Sequence, residues 1–191
     1  MNYYTEKVQL GFGRITPGVK WLLYINGGVY LLQLISRHSF DVWFGLNSTF
    51  ILNYLTIWQF VTYMFLHGGF FHIFFNMFIL WIFGCEVERA WGTKEFLKYY
   101  FITGIGSAIL SFFIYFIFSM NVVMIGASGA ICGIILAFAF MYPNRVITLF
   151  LFLVLPISMK AKYLAMMLAG ISLFSGIGDV GFQDGEDYLP I

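Results

Sequence analysis

The chain has 191 residues with a formal net charge of +1; 61% of them are hydrophobic, 21% aromatic and only 10% charged. A soluble domain carries roughly a quarter charged residues, so the composition lies far outside the soluble globular class. The near-zero charge and the lack of any basic patch with interleaved aromatics point away from nucleic acid or another polyanionic partner.

Residues 1–20, MNYYTEKVQLGFGRITPGVK, lack the short apolar core and small-residue cleavage site of a signal peptide. The first apolar segment, Val19 to Ile35, is therefore expected to be a retained membrane span. An apolar region follows from Phe50 to Phe83. As one straight helix it would be about 50 Å long against a hydrocarbon core of about 30 Å, so it must break. Gly68-Gly69 is the expected place. That makes Phe50 to His67 an amphipathic, partly embedded loop and Gly68 to Glu88 the second span. The third span is expected over Phe96 to Phe118. The fourth runs from Ile125 to Tyr142, before Pro143. An interfacial stretch, LVLPISMKAKY, leads to a fifth span from Tyr163 to Ile177. The apolar runs are continuous rather than alternating, which favours helices over a transmembrane barrel. The expected fold class is an all-α, polytopic membrane helical bundle, a single domain over 1–191 with no internal repeat.

Charge sets the expected orientation. Lys7, Arg14, Lys20, Arg89, Lys94, Lys98, Arg145, Lys160 and Lys162 fall on one side of such a bundle, and Arg37 alone on the other. The positive-inside rule puts the N-terminus in the cytoplasm. The acidic segment with Asp179, Asp184, Glu186 and Asp187 is then outside and is expected to be a solvated loop.

Polar side chains inside spans are costly and mark candidate functional sites. In FLHGGFFHIFFNMF, His72 and Asn76 stand at i and i+4 on one helical face. Both lie in the outer half of the membrane in the expected topology. So does Ser128, in GASGAICG at the start of the fourth span. Taken alone, GASGAICG is more often a packing face, and a lone intramembrane His or Asn an interhelical hydrogen bond. Three polar groups at one depth favour a site. A serine at a helix start places its amide among the unbonded donors of the first turn, where an oxyanion is stabilised. Small neighbours such as Gly126 and Gly129 leave room for a substrate backbone. Cys85 and Cys132 lack C-x-x-C spacing, and no carboxylate pair suits a metal or aspartyl chemistry, so no metal or cofactor is expected.

These motifs together resemble the rhomboid intramembrane serine proteases of bacterial type. The family's H-x4-H-x3-N pattern matches His67, His72 and Asn76, and its G-x-S-G motif matches Gly126, Ala127, Ser128 and Gly129. FGCEVERAWG and YPNRV…LPISMKAKY are also similar. The resemblance implies a serine endopeptidase of the cell (inner) membrane that cleaves transmembrane protein substrates, its active site opening to the outer face. It implies Ser128 as nucleophile and an oxyanion hole of the Ser128 backbone N–H, His72 and Asn76. It implies supporting roles for His67, Gly126 and Gly129. The loop over Phe50 to His67 resembles the family's embedded first loop, and the fifth span its substrate gate.

The family activates its serine with a sixth-span histidine in an A-H-x-x-G context. Here the histidines are His38, His67 and His72, all before Ser128. The expectation is therefore a longer native chain, of which the sequence holds five of six spans, inactive without the sixth. The face carrying Gly129 and Gly133 is expected to receive that sixth helix. His72 could reach the hydroxyl as base, but the oxyanion role occupies it. Cys132 stands where the family often has an aromatic packed on the catalytic histidine. The competing reading is an inactive rhomboid-like protein that binds or remodels membrane helices. A transporter or channel is weaker, since no span carries a paired-charge pathway. Nothing in the sequence fixes the oligomeric state.

Overall fold

The computed structural model describes residues 14–151 and 155–178. Helix α1 (Pro17–Phe44) opens the fold, with Pro17 at its first position and Gly45 capping its end. At about 1.5 Å per residue its 28 residues reach about 42 Å. It thus continues well past Ile35, where the apolar run ends. The chain from Ser36 to Phe44 holds no glycine or proline, so nothing local stops the helix before Gly45.

The segment between the first two long helices is structured. It contains α2 (Ser48–Tyr54), α3 (Gln59–Thr62) and a 3₁₀ turn over Tyr63–Phe65. Asn47 caps α2 by accepting from the Phe50 amide at 3.0 Å. A helical stretch then covers Phe70–Trp91, as α4 (Phe70–Ile79), a π turn (Leu80–Gly84) and α5 (Cys85–Trp91). The break falls at Gly68-Gly69 as expected. Helix α6 (Thr93–Ile117) follows after Gly92, whose φ is +82°. Both Phe70–Trp91 and α6 are long and apolar enough to cross a membrane.

Helix α7 (Ser128–Met141) begins three residues later than hydropathy suggested. Ile125 is apolar but not helical, because Gly126 takes φ +122° and breaks the backbone ahead of Ser128. Beyond α7, the stretch read as merely interfacial forms an antiparallel hairpin. Strand β1 (Val146–Leu151) pairs with β2 (Leu155–Lys160), from Val146 opposite Lys160 to Leu151 opposite Leu155. Pro156 is tolerated there, since in a two-stranded ladder each strand is an edge. Helix α8 (Ala161–Gly178) ends the described chain and matches the expected fifth span. Among the described residues α1, the stretch Phe70–Trp91, α6, the shorter α7 and α8 thus form a helical membrane bundle. The acidic residues Asp179, Asp184, Glu186 and Asp187 lie outside the described residues.

The α6–α7 contact is very close. A Cβ on Gly133 would stand 2.6 Å from Thr103 Cβ, and one on Gly129 2.6 Å from Ser107 Cβ. Tyr99 OH donates to the Gly133 carbonyl at 3.1 Å. Gly129 and Gly133 therefore face α6. This corrects the expectation that they await a sixth helix. In hydrocarbon, where apolar burial gives no advantage over lipid, backbone proximity of this kind is what holds helices together.

At the opposite end Glu88 joins three elements. Its carboxylate accepts from the amides of Gly18 (2.7 Å) and Val19 (2.9 Å), from Thr93 Oγ1 (2.6 Å) and from Thr16 Oγ1. Gly18 and Val19 lie in the first turn of α1, whose amides have no helical partner of their own. A negative side chain also complements the positive end of the helix dipole. Glu86 bonds Arg89 at 2.7 Å and Arg145 at 3.1 Å, tying the base of the hairpin to α5.

Glu88→Ala strands the four donors that converge on this 3%-exposed residue. A destabilisation of about 3 kcal/mol is expected, from the loss of charged hydrogen bonds and the unmet donors left behind. Thermal unfolding in detergent measures it, and Glu88→Gln, which keeps an acceptor, should lose less.

Candidate active site

The site residues of α4 take their positions from the turn before it. Gly69 is the N-cap, in an extended conformation, and the Ile73 amide closes the first helical bond to its carbonyl at 3.1 Å. His72 and Asn76 follow one turn apart on one face. Gly68 N–H donates to His72 Nδ1 at 3.3 Å. With Nδ1 accepting, a neutral imidazole carries its proton on Nε2. Asn76 is 7% exposed, and its Nδ2 is buried without a hydrogen-bond partner among the described residues. The π turn starts four residues later, and the Leu80 amide there reaches the carbonyls of both Asn76 and Met77.

The backbone of the Gly126 loop lies directly against this face. A Cβ on Gly126 would stand 2.8 Å from both Nε2 and Cε1 of His72, and 3.9 Å from Asn76 Nδ2. With φ at +122° as well, the position admits glycine for two independent reasons. The Gly126 amide donates to the Tyr63 carbonyl at 2.9 Å. Two residues on, Ser128 opens α7 and is exposed. The first helical bond of α7 runs from Ile131 N–H to Ala127 O at 3.0 Å, so the amides of Ser128, Gly129 and Ala130 precede it. Such first-turn amides carry partial positive charge and suit an anion.

His72, Asn76 and Gly126 are therefore brought together, with Ser128 two residues further along the chain. His67 stands behind His72, its ring centroid 5.1 Å away and edge-on, and it is 1% exposed. Burial first, then the neighbouring His72, push its pKa down to about 4, against an opposing pull from the Phe65 backbone. It is a neutral residue at physiological pH. Gly129 turns away from this set and onto Ser107 of α6.

Several residues absent from the sequence reading hold the site. Tyr63, fully buried, donates its hydroxyl to the Gly104 carbonyl at 2.7 Å while its own carbonyl takes the Gly126 amide. One side chain and one peptide group thus tie α6 to the loop that precedes Ser128. Leu46 and Met124 exchange backbone bonds at 2.9 Å in both directions. Asn47 Nδ2 donates to Asn121 Oδ1 at 3.1 Å, and Gln59 Oε1 accepts the Asn47 amide at 3.1 Å. Nothing local signals Tyr63. Gln33 and Asn26 do carry a signal, since both are buried polar residues inside the first apolar run.

The family model of the rhomboid domain matches residues 54–181. The chain is similar to the rhomboid-like protein 11 of Arabidopsis thaliana chloroplasts, at 36% identity over 118 residues, 61% of this chain and 39% of that one. It is likewise 36% identical over 120 residues to the rhomboid-like protease 1 of Toxoplasma gondii, covering 61% of this chain and 40% of the relative. Against the rhomboid protease AarA of Providencia stuartii it is 32% identical over 146 residues, 68% of this chain and 52% of that one. The chain thus spans about two fifths of the first two relatives and half of the third. With a family model matched over more than half its length, on the helices and loops that carry His72, Asn76 and Ser128, the chain belongs to the rhomboid family.

Proposed function

We propose that the chain carries the nucleophile and oxyanion hole of an intramembrane serine endopeptidase that cuts transmembrane segments of membrane-protein substrates. The observation that carries this reading is the apposition of His72 Nε2 and Asn76 Nδ2 to Gly126, two residues before a serine that opens a helix. In this reading Ser128 Oγ attacks the scissile carbonyl. The negative charge that develops on the carbonyl oxygen is met by the Ser128 amide, His72 Nε2–H and the Asn76 amide group. Donors fixed in place before the reaction stabilise the transition state without reorganisation. His67, Gly126 and Gly129 support the site, His67 behind His72, Gly126 by its missing side chain and Gly129 through the α6 contact. No cofactor or metal enters the reaction.

Serine needs an adjacent base to act as a nucleophile. His67 is buried, and His72 has Nδ1 engaged by Gly68 and Nε2 turned to Gly126. The base in this reading is a histidine outside residues 1–191, as the family's A-H-x-x-G pattern implies. The excess of Lys and Arg on one side supports a cytoplasmic N-terminus in the cell membrane, with the site opening to the outer face. The competing reading is a family member that binds or remodels membrane helices without cutting them.

Labelling separates the two. In the full-length protein a fluorophosphonate probe should modify Ser128, and Ser128→Ala should abolish both labelling and cleavage of a model single-span substrate. Labelling that survives Ser128→Ala removes the nucleophile assignment, and a native protein inert to probe and substrate favours the second reading.

The oxyanion roles have their own signature. His72→Ala and Asn76→Ala should each lower kcat about 10²- to 10³-fold with little change in KM, the usual loss for one such donor. If instead the variants melt earlier but keep full activity per folded molecule, the two residues are structural.

A further inference from the structure

We propose that Gln33, on the first helix, is a positioning residue for the reaction, holding the His67–Gly68 turn so that Gly68 N–H fixes the proton of His72 on Nε2. The inference rests on the oxyanion role given to His72 above. It starts from a buried polar residue with no evident reason to be polar. Gln33 lies in the apolar run YLLQLI of α1 and is 1% exposed. A leucine would fill such a position at no desolvation cost, whereas an amide there must find partners.

Its partners define a chain of bonds that leads to the site. Gln33 Nε2 donates to Asp41 Oδ1 at 2.8 Å, two turns further along α1. Gln33 Oε1 accepts the His67 backbone N–H at 2.9 Å. Because a carboxylate only accepts and an amide N–H only donates, Gln33 has one possible orientation. The next peptide N–H, that of Gly68, donates to His72 Nδ1 at 3.3 Å. His72 Nε2 then faces Gly126.

The turn needs such a hold. Leu66 is extended at φ −89° and ψ 146°, and Gly69 is extended as well, so no helical bond constrains the backbone between them. Gly68 is exposed. Released from Gln33, the turn is free to carry the Gly68 amide away from Nδ1. His72 would then lose the bond that selects its tautomer, and with Nε2 unprotonated it would present a lone pair, not a donor, to an oxyanion. Gln33 touches no reacting atom in this scheme. It acts through two peptide groups.

The test uses full-length protein with ¹⁵N-labelled histidine, read by NMR for the His72 tautomer and by kinetics on a single-span substrate. In the native protein His72 should show a protonated Nε2 and an accepting Nδ1. Gln33→Leu should mix the tautomers and lower kcat about 10- to 100-fold, the scale of a small misplacement at a reacting centre, with KM changed less than about twofold. Gln33→Glu alone sets two carboxyl groups against each other, and at a pH high enough to ionise both it should behave like Gln33→Leu. Gln33→Glu combined with Asp41→Asn restores a donor opposite an acceptor and should recover both the tautomer and kcat.

Native kcat and tautomer in Gln33→Leu would overturn the proposal. So would a fall in kcat with the His72 signals unchanged, or a folded double variant that recovers neither. Should Gln33→Leu fail to fold, Gln33→Glu and its double variant carry the same comparison. The NMR arm repeated in Ser128→Ala separates the two levels: activity surviving that change removes the proposed function, while the tautomer result still decides the role of Gln33.

Discussion

Everything at the Ser128 end of this bundle depends on how closely α7 lies against α6. Thr103 and Ser107 occupy the space that a side chain on Gly133 or Gly129 would take, and a Cβ on Gly104 would meet Ala130 Cβ at 3.4 Å. Contact at this range lets side chains of one helix bond the backbone of another, as Tyr99 OH does at Gly133. It also places Gly104 where Tyr63 can reach it. Because α7 begins at Ser128, the depth and direction of that serine follow from this packing. The small residues of GASGAICG thus serve two purposes, one before α7 and one within it. Gly126 clears space for the His72 and Asn76 side chains, and Gly129 and Gly133 clear space for α6.

Around that contact the loops are joined by hydrogen bonds as well as by apolar packing of Leu46, Met64 and Ala127. The Tyr63 carbonyl takes the Gly126 amide, Leu46 pairs with Met124, and Asn47 reaches Asn121. Irregular backbone is tolerated at membrane depth only where its polar groups are satisfied within the protein. These bonds meet that demand and also couple the segment between α1 and α4 to the segment ahead of Ser128. The other end of the bundle is held in a different way, by the charged carboxylates of Glu86 and Glu88. The ion pairs and carboxylate caps thus sit near the ends of the helices, away from His72, Asn76 and Ser128.

What could be read from the sequence was what depends on short range. His72 and Asn76 share a face because of their spacing, Gly68-Gly69 breaks a helix because of backbone freedom, and the G-x-S-G pattern is contiguous. The family followed from those local patterns. Hydropathy misplaced the ends of elements, since it cannot see that α1 continues as helix past Ile35 or that Gly126 delays α7 to Ser128. The hairpin was missed because Pro156 reads as a breaker, although an edge strand accommodates it. The partner of Gly129 and Gly133 was misassigned, because small residues announce a close approach without naming the helix that makes it. Tyr63 and Gln33 act across 41 and 34 residues of chain, and no spacing rule encodes those pairings.

The central claim is that Ser128 N–H, His72 Nε2 and Asn76 Nδ2 converge on one developing oxyanion. A crystal structure of the full-length protein inactivated by a phosphonate tests it most directly, because the phosphoryl oxygen stands in for that oxyanion. The expected result is phosphorus bonded to Ser128 Oγ, with its oxygen about 2.7–3.1 Å from all three donors, the range for such a site. A phosphoryl oxygen turned away from His72 and Asn76, or phosphorus attached to another residue, would contradict it.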